Sequence, residues 1–75
     1  MFKMKEYAIV YGSKKNKNVV TYKTSSELMK GNARAMVEAV GGVGAAGTVT
    51  DTDRETGLVT GFKVTKGRVV AISYE

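Results

Sequence analysis

Only one stretch of this sequence repeats its apolar residues at helical spacing. Met29, Ala33, Met36, Val37 and Val40 would share one helix face. The segment Thr-Ser-Ser-Glu at 24–27 fits a capping box ahead of it. The glycine pair at 41–42 supplies the C-terminal stop. These signals predict one helix over 25–40, with Gly31-Asn32 as an internal flaw. A turn through Thr24 to Lys30, with Asn32 capping a shorter helix, is the alternative.

Either side of that helix the pattern is that of strands. Residues 6–11 (Glu-Tyr-Ala-Ile-Val-Tyr) and 19–23 (Val-Val-Thr-Tyr-Lys) are rich in aromatic and β-branched side chains. The polar loop 12–18 joins them as a hairpin. After the helix come 48–52, 58–64 and 68–74, separated by Asp-Arg-Glu-Thr-Gly at 53–57 and Thr-Lys-Gly at 65–67, both turn-like. Tyr7, Ile9 and Tyr11 share one face of the first strand, but Ala8 and Val10 occupy the other, so alternation alone leaves the core face open. The expected architecture is an α+β two-layer sandwich, ββαβββ, with an antiparallel sheet and one helix packed on one face. The chain of 75 residues reads as a single domain, 1–75.

A chain this short buries only about 60% of the surface its unfolded form exposes. It has no cysteine and no histidine, which removes disulfides, thiolate metal sites and the commonest base and metal ligand. Self-association is the remaining reinforcement, so a homo-oligomer is expected, with a dimer favoured. The sheet face away from the helix would carry apolar side chains in either registration, which supports sheets meeting face to face or edge to edge. Apolar runs are too short to cross a membrane, and residues 1–6 lack the apolar segment of a signal peptide. No membrane association and a cytoplasmic location are expected.

Gly42-Val-Gly-Ala-Ala-Gly47 matches the dinucleotide fingerprint G-x-G-x-x-G letter for letter. The fingerprint works where a strand enters the glycines and a helix leaves them, setting phosphate on free amides at the positive helix end. Here a helix precedes and a strand follows, so an anion would meet the negative end. The run therefore reads as a helix stop and crossover. Gly42, Gly44 and Gly47 remain candidates only for a local amide nest that holds a small phosphorylated ligand. Asp51, Asp53 and Glu55 look briefly like a calcium loop. The pattern breaks at Thr56 and Phe62, where glycine and a bidentate glutamate belong. Asp53 should instead bond its own backbone at a hairpin tip. No metal or other cofactor is expected, and without histidine no familiar nucleophilic triad is possible, so catalysis is not expected.

The formal charge is +5 and it is unevenly placed: residues 1–34 carry eight basic and two acidic side chains, residues 35–75 four and five. Lys14, Lys15 and Lys17 crowd the first hairpin tip, Lys23 lies in the same half, and Tyr7, Tyr11 and Tyr22 interleave with them. Lysines neutralise phosphates with counterion release, and tyrosines on a sheet can stack on bases. The expected function is a small non-catalytic binding module whose basic N-terminal hairpin engages an acidic partner, with nucleic acid ahead of acidic protein. A protein-directed regulator or inhibitor of the mobile-element or viral accessory type, acting through an exposed sheet edge or face, is the alternative. Capture of a small phosphorylated ligand at the glycine loop is the second.

Overall fold

The computed structural model describes residues 4–13 and 15–75. Its elements run β1 (Lys5–Gly12), β2 (Lys17–Thr24), α1 (Lys30–Gly41), β3 (Gly47–Thr52), β4 (Val59–Thr65) and β5 (Arg68–Tyr74). The strands form one sheet in the order β2-β1-β3-β4-β5, every neighbouring pair antiparallel, and the helix packs across one face. The ββαβββ sandwich read from the sequence is the observed architecture.

Register decides which side of each strand becomes core. Ile9 lies opposite Val20 and Val49, Val49 opposite Phe62, and Phe62 opposite Ala71, so one apolar row crosses the whole sheet beneath the helix. Tyr7, Ile9, Val49 and Val64 from this face meet Ala33, Met36 and Val37 from α1 to form the buried core. Among the described residues no element lies over the opposite face. Its rows read Val19, Val10, Thr48, Lys63, Val70 and Thr21, Ala8, Thr50, Gly61, Ile72. Gly61 is needed in the second row, because a Cβ there would overlap the Val49 carbonyl oxygen on β3.

The helix is shorter than the expected 25–40. Thr24 Oγ1 accepts the Ser26 N–H at 3.1 Å, a local turn and not a helix cap. Tyr7 donates its hydroxyl to the Ser26 carbonyl at 2.9 Å, which pins residues 25–29 as a strap over the sheet end. Helix entry falls instead at Met29, which is extended (φ −134°, ψ 158°). Asn32 takes the role foreseen for Glu27: its Oδ1 accepts the Met29 N–H at 2.8 Å and its Nδ2 donates to the Glu27 carbonyl at 2.6 Å. The C-terminal stop is as expected. Gly42 has φ 92° and its N–H donates to the Glu38 carbonyl at 2.9 Å.

A candidate cationic interface at one end of the sheet

Antiparallel order brings distant parts of the chain to the same end of the sheet. β1 finishes there, β2 and β3 begin there, and the β4–β5 turn closes there. Lys15 and Lys17 at the first hairpin therefore share an end with Lys63, Lys66 and Arg68, all exposed. Among the described residues none of these five cations has an ion-pair partner; the ion pairs are Lys5–Glu27, Lys23–Glu6 and Arg34–Glu38. Lys17 and Lys63 flank a shallow cleft floored by Gly47 and Thr48, and Lys66 and Arg34 border a second one beside the glycine loop.

The carboxylates are elsewhere. Glu6, Glu27, Asp51, Asp53, Glu55 and Glu75 all lie toward the other end of the sheet. Glu38, near the end of α1, is on the helix side and already engaged: its Oε2 accepts the Gly44 N–H at 2.8 Å and stands 4.0 Å from Arg34 Nε. The molecule is thus electrically polarised along its strands, and like cations crowded at one end favour an anionic ligand there.

The residues singled out from sequence separate into different places. Lys15 and Lys17 belong to the cationic end, whereas Lys14 lies outside the described residues. Lys23 sits at the opposite end, 3.6 Å from Glu6. The tyrosines do not join the lysines on one surface. Tyr7 is 1% exposed and its ring belongs to the core, so it offers no face for stacking on a base. Tyr11 and Tyr22 are half-buried against the same core, on the helix side, while Lys17 and Lys23 project from the opposite face. Alternation within each strand alone does not separate these groups; the pairing of strands does. The sequence alone misses Lys63, Lys66 and Arg68, whose half of the chain is slightly acidic. The signal that finds them is the pairing of meander ends with the first hairpin, which requires strand order.

The glycine-loop expectation is corrected by its hydrogen bonds. The N–H of Gly42 is held by the Glu38 carbonyl and that of Gly44 by the Glu38 carboxylate, while Ala45 donates to the Gly42 carbonyl at 3.1 Å. Gly47 is inside β3, pressed against the Val10 carbonyl so closely that a Cβ would overlap it. The Glu38 carboxylate takes the Gly44 N–H and the helix cap takes that of Gly42, so both amides already have acceptors. Asp53 behaves as expected at a hairpin tip: its Oδ1 accepts the N–H of Glu55 at 2.8 Å and of Thr56 at 3.3 Å, and Gly57 carries φ 78°. Among the described residues no helix is long and apolar enough to cross a membrane.

Fold and surface define a small α+β protein, one helix on a five-stranded antiparallel sheet with its charge sorted to one end. No family model matches the chain, and neither a curated protein nor a solved structure matches it.

Proposed function

We propose that the protein is a small non-catalytic binding module that engages an acidic partner, nucleic acid first, through the cationic end of its sheet. The carrying observation is the convergence of Lys15, Lys17, Lys63, Lys66 and Arg68 at one end, none ion-paired among the described residues. This enlarges the hairpin-tip interface expected from sequence and removes the tyrosines from it. Flexible, separated lysines suit a phosphate backbone better than a fixed anion, because they bring charge without a rigid fork. A cytoplasmic location belongs to this reading. The binding unit in this reading is a homo-oligomer, a dimer by preference: among the described residues the core rests on seven buried hydrophobic side chains, and the face away from the helix exposes Val19, Val70 and Tyr74.

Fluorescence anisotropy with labelled mixed-sequence single- and double-stranded oligonucleotides, titrated across salt, tests the reading. Binding at low salt that weakens steeply as salt rises is the expected result. Absence of binding at low salt, or affinity indifferent to salt, overturns nucleic acid as the partner. An acidic peptide that competes as well as the oligonucleotide directs the same interface to protein.

A further inference from the structure

We infer that β5 is the edge through which two copies of this chain join, antiparallel, into one continuous sheet. The inference rests on the self-association in the proposed function and names the surface that carries it. β2 and β5 are the two outer strands. β5 pairs with β4 along all seven residues without a bulge, and among the described residues no strand pairs with its other side. Its five central residues, Val-Val-Ala-Ile-Ser, hold neither charge nor proline, and the strand has no bulge against β4, so three of the devices that blunt an edge are missing from its centre.

The strand is complementary to itself. In a two-fold antiparallel pairing centred on Ala71, Val70 faces Ile72 of the second copy, and Arg68 faces Tyr74 of the second copy, each pair occurring twice. Arg68, Val70, Ile72 and Tyr74 share the uncovered face, so the register keeps every side chain on its own side. Val70 and Tyr74 are 45% and 55% exposed in the single chain and gain cover. Apolar β-branched residues meet directly across the strands. The Arg68 guanidinium meets an aromatic ring, a contact that leaves its charge in place.

Neither of the two longest registers of β2 has this property. β2 centred on Val20 opposes Lys17 to Lys23 of a second copy, a like-charge pair made twice. Shifted to centre on Thr21, it sets each Lys23 against an apolar Val19. Joining β2 to β5 is head-to-tail and cannot close with two copies. The closed solution is β5 with β5. It also leaves the two cationic ends at opposite corners of the joined sheet, so neither cancels or blocks the other.

The chain has no cysteine, so single substitutions report on each edge without background. Ala71→Cys and Thr21→Cys proteins would be treated with a short bis-maleimide, and the mass of the unmodified protein read by light scattering. The expected results are a dimeric mass, covalent dimer as the main product of Ala71→Cys, and only traces from Thr21→Cys. Val70→Glu, folded by circular dichroism, should raise the dimer dissociation constant by about ten-fold or more, because each substitution strikes both symmetric pairs. If Val70→Glu does not fold, the two cysteine variants decide alone. A monomeric mass at every concentration overturns both the self-association and the edge. A dimeric mass overturns the β5 edge alone if Thr21→Cys cross-links as well as Ala71→Cys, if neither does, or if folded Val70→Glu associates as tightly as the parent.

Discussion

One added methyl group should have opposite effects at two glycines. Gly31 lies in the first turn of α1, with nothing within 4 Å of where a Cβ would stand. Gly31→Ala should therefore stabilise by up to about 1 kcal/mol, the conformational freedom glycine loses in a helix. Gly61 is buried in β4 against the Val49 carbonyl, so Gly61→Ala must push two strands apart and should cost about 1–3 kcal/mol. Urea unfolding midpoints moving in opposite directions are the expected outcome; equal shifts would contradict the close strand approach at Gly61. At this scale, legibility in the sequence followed the range of the interaction. Asp53 bonding its own backbone was readable because donor and acceptor are neighbours. The capping pattern at Thr24 and Glu27 was equally local, yet unused. The Tyr7–Ser26 bond, spanning nineteen positions, holds that segment as a strap, and Leu28 packs beside the core. A cap contributes about 1 kcal/mol and yields to a burial of that size.

The elements themselves were readable, whereas their faces were not. β1 carries apolar residues on both sides, and only its neighbours β3 and β2 select Tyr7 and Ile9 for the core. The selection has a measurable consequence. Ile9 is fully buried in the row that crosses the sheet, and Ile9→Ala should cost about 2–5 kcal/mol through lost burial and a cavity under α1. A domain of this length holds about 4–11 kcal/mol in all, so that variant should unfold at a much lower denaturant concentration or be unfolded outright. Val19, on β2 and 68% exposed on the uncovered face, should accept threonine within about 0.5 kcal/mol. Chemical denaturation of the two variants separates the faces. A loss at Val19 as large as that at Ile9 would mean that the uncovered face is packed in solution, as it would be in a face-to-face dimer rather than an edge-joined one.

At the scale of the molecule, strand order turns a weak sequence asymmetry into a strong spatial one. The first thirty-four residues looked basic and the remainder slightly acidic. In the fold the meaningful division runs across the strands, with Lys15, Lys17, Lys63, Lys66 and Arg68 at one end and six of the 7 acidic residues toward the other. Two of these five cations, Lys15 and Lys17 of the first hairpin, are legible in the sequence. The rest depended on a pairing pattern that a linear count of charge cannot contain. If each of the five cations neutralises one phosphate, the logarithm of the duplex association constant should fall with the logarithm of salt at a slope of about −4.5, and about −3.5 for single strands. Replacing Lys17 and Lys63 together by serine removes two of the five and should flatten the duplex slope by about 2, with weaker binding to every sequence alike. Replacing Lys5 and Lys23, which are ion-paired to Glu27 and Glu6 at the other end, should leave the slope nearly unchanged. The comparison distinguishes an oriented contact from general attraction by a positive protein, because both double variants lose the same net charge. Equal flattening by the two would show that overall charge alone, and not the cationic end of the sheet, draws the acidic partner.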